Sequence, residues 1–378
     1  MKKYLVVVYI LLILLFTAFS YLFVDPNFSY LKSIYTSFSF THRNFTTILY
    51  VIFIFLFFLF YLIFLKLAQI KYLVYRQLRF IILTISILLL FSYSSVLSYD
   101  IFNYIATAKV TYFYKENPYI VMPIEFTNDP SFTFVRAANK ISLYGPVWLV
   151  LSGIPFYMGF NNPVLMLFTF KALNVAFYLL TIVLIWKISK NLISVSFFAL
   201  NPLVIIEILL NSHNDTVMIF LALFSFYCLI KNKTKLSILF LILSILIKYA
   251  TVFLIPVYVY ALIKNKEKKN INKDRFFYYS FISMFILFLL SPIREEMYSW
   301  YAVWFIAFAS FLITKKYIYY FVVFLSIGLL LGYVPYMYTG LYTSSIILLK
   351  YIIIILSPLI YTVYYFLFVK KSVLAKGL

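Results

Sequence analysis

The stretch that decides the fold is TTILYVIFIFLFFLFYLIFLK, residues 46–66, which carries no charge before its final lysine. About 20 consecutive apolar residues are enough for an α-helix to cross the hydrocarbon core of a bilayer. The rest of the 378-residue chain is similar, since 65% of it is hydrophobic and 11% is charged, against about half and about a quarter in soluble domains. This composition excludes a soluble enzyme, a secreted disulfide scaffold and a disordered tail. The single cysteine, Cys228, excludes an internal disulfide.

Apolar segments recur along the whole chain and predict an all-α polytopic membrane protein with about 12 transmembrane helices in a single domain. The N-terminal spans occupy residues 1–97, an outer catalytic loop occupies 98–163, and the remaining spans occupy 164–378. Segments 236–247 and 249–263 are too short to cross alone, so we expect two short helices that meet near the outer surface at Lys248. The twelve segments lie at about 4–24, 46–66, 78–97, 164–186, 192–207, 216–230, 236–247, 249–263, 276–292, 301–314, 318–334 and 344–369.

The distribution of charge predicts the orientation, because lysine and arginine concentrate on the cytoplasmic side. With both termini in the cytoplasm, the inner segments hold 22 of the 32 basic residues but only two of the 11 acidic ones, Glu267 and Asp274. A net charge of +21 would suggest a nucleic-acid partner for a soluble protein. Here it indicates a multi-pass protein of the cell membrane, and no nucleic acid is expected. The inner basic residues include the run from Lys264 to Arg275 and the tail residues Lys370, Lys371 and Lys376.

Residues 147–160 are apolar enough to be mistaken for another span. Counting them as a crossing would place the following lysine clusters outside, so we expect an interfacial or re-entrant helix on the outer face. This helix would belong to the outer loop 98–163, which contains Asn117-Pro118-Tyr119 and Tyr144-Gly145-Pro146. Proline at these positions fixes extended or turn geometry, which is unusual for a simple tether.

Asp100, in Ser-Tyr-Asp-Ile-Phe-Asn-Tyr at residues 98–104, lies at the outer end of the third predicted span. A lone aspartate there is compatible with a helix cap or a solvated loop acid. It is equally placed to act as an acid or base at the membrane surface, beside a long and structured loop. Both interpretations are open at this point.

A second polar segment follows Asn201-Pro202, which interrupts an apolar span and frees backbone groups. Glu207 and the run Asn211-Ser212-His213-Asn214-Asp215 come next, and spacing of one helical turn allows Glu207, Asn211 and Asp215 to share a face. An ionisable group at the edge of a span is a functional candidate because its burial is unfavourable. A polar turn capped by Asn214 or Asp215 is the alternative. One histidine without a second nearby is a weak metal signal, so no metal ligand is assigned.

Ten of the 32 basic residues lie outside the inner segments, and four of them are considered separately. Lys248 either snorkels to the surface or forms an anion site for a lipid phosphate. Arg294 is a second outer cation, followed by Tyr298, Trp300, Tyr301 and Trp304, which resemble an interfacial aromatic belt. Lys171 and Lys350 fall inside predicted spans, and the sequence assigns them no role.

The ordered set of these motifs over residues 95–305 resembles the GT-C superfamily of integral-membrane glycosyltransferases. It is most similar to the prokaryotic mannosyltransferases that use polyprenyl-phosphate mannose. The resemblance implies transfer of a hexose, expected to be mannose, from the lipid-phosphate donor to a glycan or lipid-linked acceptor on the outer face. Asp100 would be the catalytic acid of the first large outer loop, and Lys248 and Arg294 would bind the donor phosphate. The remaining candidates would bind the sugar or the acceptor: Tyr104, Asn117, Tyr119, Tyr144, Glu207, His213, Asn214, Asp215 and Tyr301.

The sequence departs from the family pattern at Asn103 and Glu116, where arginine and glycine are common, and at Ala106 and Ala108. These departures bear on the sugar and the acceptor more than on the reaction. One base acting from one face predicts inversion at the anomeric carbon. No nucleotide motif is present in the sequence, although a divalent cation is compatible with the reaction. The alternative is a lipid or sugar transporter or flippase, although the polar residues do not fall into paired halves. The oligomeric state is not predicted.

Overall fold

A computed structural model describes residues 2–32, 38–266 and 272–369 of the protein. The structure is 77% helix, and its described residues form no strand, as the apolar periodicity predicts. Segments 267–271 and 370–378 lie outside the described residues. The predicted inner charges Glu267, Lys268, Lys269, Lys370, Lys371 and Lys376 therefore have no structural account.

Eighteen α-helices are present among the described residues, and several are joined by shorter 3₁₀ or π turns. The first eight are α1 (Lys2–Ser20), α2 (Ser29–Lys32), α3 (Phe38–Thr41), α4 (Arg43–Gln69), α5 (Tyr75–Leu90), α6 (Asp100–Tyr112), α7 (Pro146–Met158) and α8 (Pro163–Ser189). The next five are α9 (Leu192–Ala199), α10 (Pro202–Val204), α11 (Asp215–Ile230), α12 (Thr234–Ile245) and α13 (Ile255–Lys266). The last five are α14 (Lys273–Leu290), α15 (Val303–Ala309), α16 (Lys316–Leu331), α17 (Val334–Thr339) and α18 (Ser344–Tyr364).

Six helical segments within the described ranges are long and apolar enough to cross a bilayer. The count rises to seven if α9 and the bent segment that follows it form one span. The predicted twelve crossings are therefore not confirmed, although each predicted apolar segment contains a helix. The shortfall arises because α5, α11, α12 and the helical segments at 249–264 and 299–309 have 10–17 residues, where a perpendicular crossing needs about 20. The six spans are Lys3–Phe23, Arg43–Gln69, Pro163–Ser189, Lys273–Ile293, Lys316–Thr339 and Ser344–Val369.

The predicted interruption at Asn201-Pro202 is present, and it bends the path of the helix by 48°. Asn201 Oδ1 accepts a hydrogen bond from Leu203 N (2.9 Å), which restarts the helix with proline in its first turn. Beyond α10 the backbone continues as a π-helix, Ile205–Leu210. Such single-turn π segments are frequent at functional sites, and this one leads directly into the polar run at 211–215.

The predicted interfacial segment forms α7, which has 13 residues and lies against α6 and α8. Its first turn is fixed to the end of the α12 segment, because Gly145 N donates to Ile247 O (3.0 Å) and Val147 N donates to Leu246 O (3.1 Å). A Cβ atom at position 145 would collide with the carbonyl oxygen of Leu246, so glycine permits this close approach. A re-entrant path for α7 is not confirmed.

Helix packing places the polar run at the centre of the protein. Helix α11 packs on α8 and α12, and the π-helix packs on α5 and α8. All residues from Val204 to Thr216 are buried. In contrast, only 17% of the apolar window of the last span, Ser344–Val369, is buried. Its exposed leucine and isoleucine side chains are suited to lipid contact.

Candidate active site

Asp100 begins helix α6, so its carboxylate lies at the positive end of the helix dipole. Its side chain is 24% exposed, more than any other acid of the cluster described below. Oδ2 lies 3.4 Å from His213 Nδ1 and Oδ1 lies 3.5 Å from Asn103 Nδ2. Asp100 is therefore the acid of this cluster that an external molecule can reach.

His213 lies between two carboxylates and is completely buried. Its Nδ1 points to Asp100, and its Nε2 lies 3.4 Å from Glu207 Oε2. The imidazole ring stacks on the indole of Trp300, with ring centroids 4.1 Å apart. Glu207 is itself held by Tyr333 Oη, which donates to Oε1 (2.9 Å), and by Asn211 Nδ2, which donates to Oε2 (3.1 Å).

The charges of this triad change the pKa values of its members. Burial alone lowers the pKa of His213, but the contacts with Asp100 and Glu207 outweigh it and raise the pKa from 6.5 to about 9. Burial raises the pKa of Asp100, yet His213, then Lys248 and Asn103, outweigh it and hold the pKa below its usual 3.8. Near neutral pH the triad therefore contains a charged imidazolium beside the ionised Asp100.

The backbone around His213 is held in an unusual conformation. Ser212 has a left-handed φ of 66°, which is strained for a residue other than glycine. Asn174 Nδ2 compensates by donating to Ser212 O (2.7 Å), and His213 N donates to Glu207 O (3.0 Å). Strained positions of this kind cluster at functional sites. The turn directs His213 back toward the π-helix that carries Glu207.

Asp215 and Lys248 form a second part of the same site. Lys248 Nζ lies 2.8 Å from Asp215 Oδ2, and Trp304 Nε1 donates to Asp215 Oδ1 (2.5 Å). The Lys248 side chain is 16% exposed, and its ammonium is paired with the buried Asp215. The predicted shared face is only partly present: Asn211 contacts Glu207, but Asp215 begins α11 and is directed to Lys248 instead.

The predicted aromatic residues of the outer loop surround this region. Tyr104 Oη lies 3.3 Å from Asn214 Oδ1 and accepts a hydrogen bond from Asn214 N (3.2 Å). The ring of Tyr104 packs edge-on against Tyr144, with centroids 4.8 Å apart. Tyr119 Oη donates to Tyr144 O (2.8 Å), and Asn117 Oδ1 accepts from Tyr119 N (3.0 Å). Asn117 and Tyr119 thus shape the loop that holds Tyr144.

A small groove lies between α6 and the outer loop, and Asn103, Ala106 and Thr107 line it on the α6 side. Asn103 lines it and contacts Asp100 on the other side. Tyr144 and the exposed Lys140 of the outer loop also line it. Asn103 therefore belongs both to the groove and to the surroundings of the Asp100 carboxylate.

Tyr301 and Arg294 lie at the edge of the cluster. Tyr301 stacks on Trp304, with centroids 4.2 Å apart, and donates from Oη to Glu295 Oε2 (2.7 Å). Arg294 is exposed, and among the described residues its side chain has no hydrogen bond or ion pair. The structure therefore brings most of the predicted residues together around Asp100 and leaves Arg294 apart.

The two lysines without a predicted role have clear structural partners. Lys171 is fully buried and donates to Ser92 O (2.8 Å), Ser92 Oγ (2.6 Å) and Leu210 O (3.2 Å). It thereby links α8 to the end of the π-helix. Lys350 Nζ lies 2.8 Å from Glu296 Oε2, which ties α18 to the loop before α15.

Sequence reasoning missed three residues that complete the site. The sequence pattern places Trp300 and Trp304 in an interfacial aromatic belt. In the structure Trp300 stacks on His213, and Trp304 donates a hydrogen bond to Asp215. Their spacing of one helical turn beside Arg294 was a usable signal. Tyr333, which holds Glu207, is one of 37 tyrosines and had no distinguishing context.

Within the described residues no group of three or more His, Cys, Asp or Glu residues is arranged to hold a metal ion.

Comparisons with known proteins give one family. No curated protein matches the chain. No solved structure matches it either.

The family profile for "alpha-(1->6)-mannopyranosyltransferase, N-terminal domain" matches residues 8–264, about two thirds of the chain. The matched region contains Asp100, Glu207, His213 and Lys248, whereas Arg294 and Tyr301 lie beyond it. The resemblance to a mannosyltransferase is thus confirmed, and an enzyme is favoured over a transporter. The helices able to span a membrane make it a membrane protein. The chain belongs to the alpha-(1->6)-mannopyranosyltransferase family.

Proposed function

We propose that the protein is a GT-C-type glycosyltransferase that moves a mannosyl residue from polyprenyl-phosphate mannose to a glycan or lipid-linked acceptor on the outer face of the membrane. Asp100 is the catalytic base, and the anomeric configuration is inverted. The observation that carries the proposal is the partly exposed carboxylate of Asp100, which is backed by a buried polar cluster and contacts Asn103, a residue that lines the groove.

The chemistry follows from the placement of opposite charges. The acceptor hydroxyl gives its proton to Asp100 as its oxygen bonds to the anomeric carbon, and the bond from that carbon to the phosphate oxygen breaks. The leaving phosphate gains negative charge, which a nearby cation stabilises. Lys248 is suited to this role because an ammonium has three donors and Asp215 occupies only one. Arg294 has no partner among the described residues, so it is free to join the donor phosphate.

The remaining residues are assigned to the substrates by position. Tyr144 lines the groove and Tyr104 packs against it, and both would bind the acceptor or sugar, with Asn117 and Tyr119 holding the loop. Asn214, Asp215 and Tyr301 would act from the side of Lys248. Glu207 and His213 are buried behind Asp100, so any effect on a substrate passes through that carboxylate. No resident cofactor is proposed, and a divalent cation remains compatible with the reaction.

We also propose that the short helices complete a fold of about 12 crossings, with both termini in the cytoplasm and α7 in the outer interface. Basic residues would then concentrate on the inner side. Replacing the only cysteine, Cys228→Ser, gives a background for single-cysteine labelling. A membrane-impermeant maleimide should label Lys115→Cys in intact cells, and Lys233→Cys only after permeabilisation. The reverse pattern would refute the orientation.

The enzymatic proposal is tested with purified protein in liposomes, radiolabelled polyprenyl-phosphate mannose and an alkyl alpha-mannobioside acceptor. We expect wild-type protein to form a mannosylated product with inverted configuration. Asp100→Asn should lower turnover by about a hundredfold or more, the usual contribution of a general base. Polyprenyl-phosphate glucose in parallel tests the identity of the sugar.

Asp274→Asn is the matched control, because Asp274 also lies in the first turn of a helix but is exposed at the start of α14. It should retain wild-type turnover. Full activity of Asp100→Asn, or retained anomeric configuration in the product, would overturn the assignment of the base.

A further inference from the structure

The buried environment of His213 gives it an unusual position in the candidate site. Both ring nitrogens face carboxylates, Asp100 at 3.4 Å and Glu207 at 3.4 Å. The ring has no exposed surface and stacks on Trp300. A side chain placed in this way does not contact a substrate, so its influence is transmitted through its neighbours.

The contacts of His213 are also longer than ordinary hydrogen bonds. Among the described residues neither ring nitrogen has a partner with standard hydrogen-bond geometry. A buried polar group without such bonds is destabilising unless charge compensates. The two flanking carboxylates provide this compensation, and they would repel each other without a cation between them.

The fixed end of the triad is Glu207 rather than Asp100. Glu207 is fully buried and receives hydrogen bonds from Tyr333 and Asn211. The Asp100 carboxylate is partly exposed, and among the described residues Asn103 is the only one besides His213 that is positioned to donate to it, at 3.5 Å. Glu207 therefore holds His213 in place, and His213 in turn holds Asp100.

We propose that His213 is a positioning residue for the reaction: held by Glu207 and Trp300, its imidazolium fixes Oδ2 of Asp100 and so presents Oδ1 to the acceptor hydroxyl. This inference rests on the proposed function of Asp100. The geometry needs the charged ring, because only the imidazolium carries a proton on both nitrogens and can face two carboxylates at once.

The surroundings of the ring agree with a charged state. Although burial alone lowers the pKa of His213, Asp100 and Glu207 raise it to about 9. Apart from His213, Lys248 is the cation that acts on Asp100, and Lys248 is itself paired with Asp215. Tyr333 and Asn211 face Glu207, and Tyr104 and Tyr144 face Asp100 from α6 and the outer loop. The ring is expected to lose its second proton only in alkaline solution. His213 would then no longer hold both Asp100 and Glu207.

The kinetic test uses His213→Gln, His213→Ala and Glu207→Gln in the liposome assay. We expect His213→Ala to lower kcat by about tenfold to a hundredfold, with KM for donor and acceptor changed by less than about threefold. His213→Gln, whose two donors lie on a single uncharged amide nitrogen, should lie between wild type and His213→Ala. Glu207→Gln should move the alkaline limb of the pH profile to lower pH. A purely structural role would lower the yield of folded enzyme and leave kcat per active site and the pH profile unchanged, and that result would overturn the proposal.

A second test needs no activity, because the chain has only two histidines, His42 and His213. His42→Gln leaves His213 as the single imidazole, and His42 lies on the exposed start of α4 away from the site. In protein labelled with ¹⁵N-histidine, the nitrogen shifts of His213 should report a doubly protonated ring at neutral pH. They should titrate near pH 9, and at lower pH in Glu207→Gln. A neutral ring at pH 7 would refute the inference.

The two proposals fail in distinguishable ways. If wild-type protein transfers no mannose, or Asp100→Asn stays fully active, the proposed function fails. If Asp100→Asn is inactive while His213→Ala keeps wild-type kcat and pH profile, only the positioning role fails.

Discussion

Two polar clusters lie at the two ends of helix α6, and they differ in how completely their groups are satisfied. At the C-terminal end, Lys109 Nζ lies 2.6 Å from Asp129 Oδ2 and donates to Ser131 Oγ (2.9 Å). Asp129 also accepts from Tyr114 Oη (2.7 Å) and Ser131 Oγ (2.7 Å). At the N-terminal end, His213 has only 3.4 Å contacts and Asp100 is 24% exposed.

The difference separates a structural cluster from a functional one. The groups of the Lys109–Asp129 cluster form their hydrogen bonds with one another. Lys109 lies in the last turn of α6, where its positive charge interacts favourably with the negative end of the helix dipole. Burial raises the pKa of Asp129, but Lys109, Ser131 and Tyr114 outweigh it and lower the pKa to about 2. The Asp100 cluster keeps one carboxylate oxygen with little internal bonding. A partly exposed carboxylate oxygen with little internal bonding is available to a substrate.

The largest effect that sharpens this comparison is expected from Lys109→Met. Removing one partner of a buried ion pair leaves Asp129 uncompensated and should destabilise the outer loop by about 3–5 kcal/mol. Thermal unfolding in detergent and limited proteolysis measure the loss, and turnover per folded molecule should remain near wild type. Lys115→Met is the control, because Lys115 is exposed in the same loop. Equal stability of the two variants would contradict the structural role.

The next effect tests the charge at the other end of α6. Folding raises the pKa of His213 from 6.5 to about 9, so its contribution to stability is complete below about pH 6.5 and is lost as pH rises through about 9. We expect the free energy of unfolding to fall by about 3 kcal/mol over this range, relative to His213→Gln. Thermal melts of both proteins as a function of pH measure the difference. Parallel curves for the two proteins would argue against a charged ring.

A smaller effect is expected for Lys248→Met, which removes the proposed phosphate contact. Charge-assisted hydrogen bonds contribute roughly 1.5–3 kcal/mol, so KM for the polyprenyl-phosphate donor should rise by about tenfold or more, with a smaller change for the acceptor. Steady-state kinetics measure both constants. Lys235→Met, at an exposed lysine of α12, should leave them unchanged. An unchanged donor KM in Lys248→Met would remove Lys248 from the phosphate site.

The smallest effect is expected for Arg294→Ala. Arg294 is exposed and lies apart from the cluster, so its contact with the donor is screened by water and should change the donor KM by only about twofold to threefold. The same kinetic assay at low and high salt checks this, and the effect should diminish with salt. A larger effect than that of Lys248→Met would reverse the proposed order of the two cations.

The helical class was predictable from the apolar runs, since stretches such as residues 46–66 have few alternatives to a membrane helix. The number of crossings was not, because α5, α11 and α12 are too short to be assigned by hydropathy alone. Whether a short helix crosses depends on its neighbours, and a local window contains no information on them.

For the candidate site, the sequence identified the acids and the histidine but not their pairing. Spacing suggested the contact between Glu207 and Asn211, which is present. The contact between His213 and Asp100 joins residues more than a hundred positions apart. The left-handed backbone at Ser212, which directs His213 toward the site, could not be predicted because the residue is not glycine. Long-range pairing of this kind arises from tertiary packing and not from local pattern.

The backbone junction at Gly145 has a consequence for substrate binding. The backbone N–H groups of Gly145 and Val147 donate to Ile247 and Leu246, so this junction connects Tyr144 directly to Lys248. If Lys248 binds the donor phosphate and Tyr144 the acceptor, as proposed, the junction couples the two sites. Each substrate is then expected to change the affinity of the enzyme for the other, and by the same factor.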